Sequence, residues 1–198
     1  MPTVREKILD TTGNLLEKQG YHSTGLNEIV RQSGAPKGSL YHYFPQGKEQ
    51  LAAESVVESG HVTSERIRAG LSGGSPAAKA IHDFVLTIAE NVERSGFAAG
   101  GPLTAVAVET ATNSERINLA CREAYWMLQA AFMEKLLEGG LTKAKARELA
   151  TFITASIEGG IILSRTYHTA DPLRLVAKQL LILLSSKENT TQLSQAKR

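Results

Sequence analysis

Between Glu28 and Glu49 the chain carries no acidic residue, yet the same window holds Arg31, Lys37 and Lys48 together with Tyr41, His42 and Tyr43. Cations interleaved with aromatic rings that end in hydrogen-bonding groups suit the grip on a polyanion. Ammonium and guanidinium groups neutralise phosphates, while phenol, imidazole and hydroxyl groups reach phosphate oxygens or base edges. A short basic stretch is by default only a solvated face. What raises this one above that default is where its residues must sit.

Apolar spacing places two short helices here, about 26–33 and 36–44, with Gly34 and Ala35 between them. A glycine at the joint supplies a turn conformation that a β-carbon disfavours. Two short helices around such a turn are helix-turn-helix geometry. Leu26, Ile29 and Val30 are expected to bury against Leu40 and Phe44, which share one face of the second helix. At about 100° per residue, that inward pair turns Gly38 and His42 outward, with Ser39 and Tyr41 beside them and Lys37 in the first turn. Gly38 lets this face press close to a duplex. Lys48 opens the next helix, where its charge and the free amides of the helix start could hold a phosphate together.

The rest of the chain reads as all-α. Apolar residues recur at three and four, and proline is absent from 103–171. About nine helices are expected: 3–19, 26–33, 36–44, 48–70, 76–95, 103–111, 114–138, 143–168 and 171–185. Thr3 with Glu6 fits a capping box, Gly20 is placed to close the first helix, and Ser75-Pro76 reads as N-cap and first helical residue. The expected division is a helix-turn-helix domain over 1–47, a connecting helix and linker over 48–74, a larger helical domain over 75–185, and a polar, frayed tail over 186–198.

Composition sets the outer bounds. With 198 residues and 42% hydrophobic content the chain can build a real core. The net charge of +2 looks bland for a nucleic-acid binder, but the acid-free window alone carries +3 and the remainder sums to −1. The longest strongly apolar run, Leu180 to Leu184, is far short of the roughly 20 residues that span a bilayer. The opening Met-Pro-Thr-Val-Arg-Glu-Lys has no apolar core of a secretory signal, and the single Cys121 cannot form an internal disulfide, so the cytoplasm is the expected compartment.

Other chemistries find less support. Residues 75–185 carry many aromatics, and an apolar pocket for a small effector is expected to draw on Phe84, Phe97, Leu103, Tyr125, Trp126 and Phe152, with Glu109, Arg122 and Glu158 as polar contacts. Taken singly, each aromatic reads more readily as ordinary core, and each charge as a surface or ion-paired group. Gly70-Leu71-Ser72-Gly73-Gly74 matches the letters of a nucleophile elbow but follows a helix rather than a strand, so it reads as linker. His22, His42, His61, His82 and His168 show no metal-ligand spacing, and no phosphate-loop or dinucleotide fingerprint occurs. No catalytic residue, metal or cofactor is expected. An enzyme acting on the pocket ligand remains the rival class, discriminated by an acid/base or nucleophile pair that no spacing here supplies. A regulator without ligand control is a second rival. Lys143, Lys145 and Arg147 read as a solvated face. Cys121 reads as buried, with a thiol sensor as the alternative.

The run Gly34-Ala35-Pro36-Lys37-Gly38-Ser39-Leu40-Tyr41-His42-Tyr43-Phe44-Pro45, followed by Gly47-Lys48-Glu49, closely resembles the DNA-binding signature of TetR-type transcriptional repressors, over about residues 5–55. Gly101-Pro102-Leu103 and the short helix after it are similar to the branch containing lincomycin-resistance and flavonoid-responsive repressors. The resemblance implies that Lys37, Gly38, Ser39, Tyr41, His42, Tyr43 and Lys48 approach double-stranded DNA. It also implies a homodimer and a C-terminal domain that binds a small effector. Two departures stand out: Pro36 occupies a position where the family usually has Ser or Thr, and Pro45-Gln46-Gly47-Lys48 is one residue longer. Ala155, Gly159 and Gly160, with the stripe Leu173, Val176, Leu180 and Leu183, offer the last two helices a face for a partner or for packing inside one subunit. The resemblance favours a four-helix dimer interface. Two-fold symmetry then predicts a palindromic operator with half-sites about 34–36 Å apart or a multiple.

Overall fold

The computed structural model describes residues 2–101, 103–110 and 113–195, with side-chain surroundings given through Ser186. Pro102 of the branch signature, the Ala111 end of the expected sixth helix and residues 196–198 of the expected tail lie outside the described residues. Among those described there are nine helices and no strand: α1 (Val4–Ser23), α2 (Leu26–Ser33), α3 (Lys37–Tyr43), α4 (Lys48–Leu71), α5 (Ala77–Arg94), α6 (Leu103–Thr110), α7 (Glu115–Glu138), α8 (Lys143–Tyr167) and α9 (Asp171–Gln195). The chain forms two compact units, Met1–Val62 with Gly101–Trp126, and Thr63–Gly100 with Met127–Arg198. A division by chain order does not anticipate that residues 101–126 pack with the N-terminal helices.

In the first unit, α1 starts on the expected capping box: Thr3 accepts from the Glu6 amide while Glu6 accepts from the Thr3 amide. Such a cap is worth about 1 kcal/mol. Ile8, Leu9, Leu15 and Leu16 are buried, whereas Val4 in the first turn is exposed. Gly20 does not end the helix outright. Its backbone (φ 75, ψ −178) kinks α1, and one further turn runs to Ser23. Ile8, Leu9, Leu15, Ile29, Leu40, Phe44 and Leu51 form one cluster, with Leu26 and Val30 packed on it, as apolar spacing predicted.

In the second unit, α9 packs on α5 and α8, and α5 packs on α8. Ser75 is not the N-cap of α5. Pro76 itself holds that position with no side-chain cap, one residue later than expected. Gly70 closes α4 beside a ring: a β-carbon there would lie 2.9 Å from Cε2 of Phe84. Ser72 donates from Oγ to the Ala69 carbonyl at 2.7 Å, so the glycine-serine run is a helix end and linker. The almost fully buried Lys135 donates to the Gly73 carbonyl at 3.0 Å and fastens that linker. Arg68 grips Glu134 through a forked pair at 2.8 and 3.0 Å.

Two expectations for the C-terminal helices are corrected. Residues 186–195 continue α9 beyond its expected end at 185, with neither proline nor glycine to interrupt the chain between Leu173 and Gln195. The stripe expected to face a partner faces inward. Leu173 and Leu180 are buried, Val176 and Leu183 are half-buried, and a β-carbon on Gly160 would meet Leu173 Cδ2 at 2.9 Å. The exposed apolar residues lie on other faces: Phe152, Ile162 and Leu163 of α8, and Leu175 and Ile182 of α9.

Candidate nucleic-acid interface

α2 and α3 meet through Gly34, which adopts the left-handed conformation (φ 64, ψ 12) that its missing β-carbon makes inexpensive. Pro36 stands at the N-cap of α3 with no side-chain bond, and its carbonyl accepts the Ser39 amide at 2.9 Å. From there the helical period does the sorting. Leu40 and Phe44 are fully buried, while Lys37, Gly38, Tyr41, His42 and Tyr43 are exposed, with Tyr41 at 49%. Ser39 is half-buried at the edge of this face. The His42 and Tyr43 rings meet edge to face, with centroids 5.0 Å apart.

Gly38 is informative through its emptiness. A β-carbon there would meet nothing within 4 Å, so internal packing does not require a glycine. Arg5 braces the underside of the motif: its guanidinium lies 5.7 Å from the centre of the Phe44 ring and pairs with Glu54 at 2.5 Å.

Lys48 opens α4 with its ammonium already engaged within the chain. Its ammonium sits 4.3 Å from the centre of the Tyr21 ring and donates to the His22 carbonyl at 3.4 Å. Burial pushes its pKa down, and the nearby Glu109 carboxylate partly opposes that. The Tyr21 phenol is pushed up, first by burial and then by Glu49.

An N-terminal motif of this build is matched by known proteins over almost the whole chain. Residues 8–54 match the family described as bacterial regulatory proteins, tetR family, and residues 77–179 match the C-terminal domain of LmrA/YxaF-like transcriptional regulators. The chain is 42% identical to the HTH-type transcriptional regulator YxaF of Bacillus subtilis, over 92% of its own length and 96% of the relative's. This chain belongs to the TetR family. It is a DNA-binding transcriptional regulator, and its family and relatives are regulators rather than enzymes. The HTH-type transcriptional regulator LmrA of Bacillus subtilis is 40% identical over 85% of this TetR-family chain and 90% of its own. The fold is shared with a cysteine mutant of the TetR-family regulator CifR complexed with 26-base-pair operator DNA: the TM-score is 0.73 at 19% identity, covering 88% of this chain and 93% of that one.

The nine residues expected at an effector site have varied surroundings. In the first unit, Leu103 is buried, Tyr125 shares a hydrogen bond with Thr104 at 3.3 Å, and Arg122 and Trp126 are exposed, Trp126 at 65%. Glu109 is engaged with α1, accepting the His22 amide at 2.8 Å. In the second unit, Phe84 packs edge to face on Phe132, and Phe97 lies against His168 with ring centres 5.5 Å apart. Phe152 is exposed at 52%, and Glu158 is half-buried. An open groove of about 840 Å³ in the first unit runs along α1, α4 and α7, past Leu9, Glu54, His61 and Leu119, and none of the nine lines it.

Sequence reasoning missed the contacts that cross long stretches of chain. Arg5 with Glu54, the Gly101 amide on Glu17 at 2.7 Å, and Ser114 donating to Glu49 had no local signal. Only the left-handed Gly20 hinted at a special site, and a helix-ending glycine explained it as well.

Among the described residues, no helix is long and apolar enough to cross a membrane.

Proposed function

We propose that this regulator is a homodimeric repressor released from a palindromic operator by a small apolar or aromatic effector. The observation that carries the DNA-contact assignment is the sorting of α3: Leu40 and Phe44 are fully buried, while Lys37, Gly38, Tyr41, His42 and Tyr43 stand open. These residues, with Ser39 and Lys48, are the proposed DNA contacts. Residues 1–47 serve as the DNA-binding domain, 48–74 as connection, and 75–185 as the effector-binding and dimerising part, in the cytoplasm.

The exposed apolar stripe on α8 and α9 supports dimerisation. Phe152, Ala155, Gly159, Ile162 and Leu163 follow one another at helical spacing on α8, and Leu175 and Ile182 do so on α9. Gly159 leaves open space where a partner helix could approach closely. A monomer would leave these side chains in water, whereas a two-fold partner covers them with an identical set. Release by an effector requires differential affinity for two states, and a 100-fold loss of operator affinity corresponds to about 2.7 kcal/mol of coupling. Half-buried aromatics such as Phe84 and Phe97 are candidates for that contact.

The test is a gel shift on DNA flanking the protein's own gene, across salt, with the wild type and a Tyr41→Ala/His42→Ala variant. The wild type is expected to bind with a log–log salt slope of about −0.9 per neutralised phosphate. Binding unchanged in the variant refutes the recognition-helix assignment.

A further inference from the structure

The turn that leads from α1 into the helix-turn-helix, residues 20–24, is held mostly by its sequence neighbours. Thr24 donates from Oγ1 to the Gly20 carbonyl at 2.7 Å and from its amide to the Tyr21 carbonyl at 3.2 Å. Gln19 reaches the Ser23 carbonyl at 2.9 Å, and Lys48 reaches the His22 carbonyl at 3.4 Å. One tether comes from much farther along the chain. The His22 amide donates to Oε2 of Glu109, 87 residues away on α6, at 2.8 Å.

That carboxylate occupies a notch that only glycine leaves. Gly20 has φ 75, and a β-carbon on it would lie 2.8 Å from Cδ of Glu109. The His22 backbone is thereby held at both of its polar groups, its N–H by a carboxylate from α6 and its C=O by the ammonium that opens α4. α6 is fastened to α1 at its other end too, where Glu17 accepts the Gly101 amide. Gly25 is already the N-cap of α2, so residues 20–24 join α1 directly to α2, beside the apolar cluster that packs α2 and α3 on α1.

We propose that Glu109 is a positioning residue for DNA binding: seated in the Gly20 notch and bonded to the His22 amide, it fixes the hinge that helps aim the recognition helix. The proposal rests on the assignment of α3 to DNA. Without the carboxylate the hinge samples several angles, and only a fraction of molecules carries the binding-competent one. Apparent affinity falls by that fraction.

The test compares the wild type with Glu109→Ala and Glu109→Gln. The DNA probe is a duplex enriched from a random pool by the wild-type protein, titrated by fluorescence anisotropy across salt. A second readout is hydrogen exchange at the His22 amide. Glu109→Ala is expected to weaken binding about tenfold, the loss matching one hydrogen bond to a charged group, with the salt slope unchanged because the phosphate contacts remain. The same variant speeds His22 exchange. Glu109→Gln keeps an oxygen that can accept the amide and stays within about threefold of the wild type on the same reasoning. Glu109→Ala affinity within about twofold of wild type, equal loss in both variants, or unchanged His22 exchange overturns the proposal. If the wild type enriches no duplex, the DNA-binding reading itself fails, and His22 exchange still decides whether Glu109 holds the hinge.

Discussion

Adjacent glycines in α8 meet opposite surroundings, which makes them a matched pair of probes. A β-carbon on Gly160 would press on Leu173 Cδ2 at 2.9 Å and on Val176 Cγ2 at 3.3 Å, while one on Gly159 would meet nothing within 4 Å. Leu173 is fully buried, so its methyl has little room to retreat. Overpacking of this kind costs about 1–3 kcal/mol, and replacing a mid-helix glycine returns about 0.5–1 kcal/mol. Gly160→Ala is therefore expected to destabilise by about 0.5–2 kcal/mol in urea unfolding while the oligomer persists. Gly159→Arg puts a charge in the middle of the exposed apolar stripe without touching the subunit's own core. It should keep full helical circular dichroism, sediment as a monomer at micromolar concentration, and lose cooperative operator binding. Unfolding must be compared at equal protein concentration, because dimerisation contributes to stability by mass action. A Gly159→Arg protein that still sediments as a dimer refutes the assignment of this face. A Gly160→Ala protein more stable than wild type refutes the packing argument.

Two further perturbations test the interior. Burial pushes the Cys121 thiol up to about 11, so it stays protonated at pH 8 and is sterically shielded as well. A chromogenic disulfide reagent should leave it unmodified in the native protein and titrate one thiol in denaturant; rapid native reaction would revive the thiol-sensor alternative. Ser164 is fully buried in α8 with a hydroxyl that finds no hydrogen-bond partner among the described residues. Ser164→Ala removes an unmet polar group and is expected to stabilise by about 1 kcal/mol, raising the thermal midpoint by about 2–4 °C. A drop in midpoint would contradict the orphaned hydroxyl.

The helix-turn-helix was legible because everything that specifies it is local. The left-handed Gly34, the inward Leu40 and Phe44 and the outward Tyr41 and His42 lie within eleven consecutive residues, and the helical period alone fixes their faces. The hinge was not legible. The His22 amide and the Glu109 carboxylate are 87 residues apart, and nothing about a glutamate on an apolar helix names its partner. Read alone, Glu109 fits a ligand contact or a surface or ion-paired group, and neither reading points to the His22 amide that its carboxylate accepts.

The proposed dimer face shows a subtler limit. Periodicity says which side chains share a face, but not whether the chain itself or a second copy covers that face. On α9 the sequence offers two apolar stripes: Leu173, Ala177, Leu180 and Leu184 on one side, Leu175 and Ile182 on another. The fuller stripe buries more area per turn, so it wins the competition for the subunit's own core against α5 and α8. It cannot then also face a partner. What remains is the thinner stripe, and its persistence is the more telling fact: packing within the subunit leaves its two large apolar side chains more than half exposed. Matched by Phe152, Ile162 and Leu163 on α8, it fits a surface whose cover is another copy of the same chain. For a helix with two apolar faces, the richer face therefore belongs to the fold, and the poorer one should be searched for the partner.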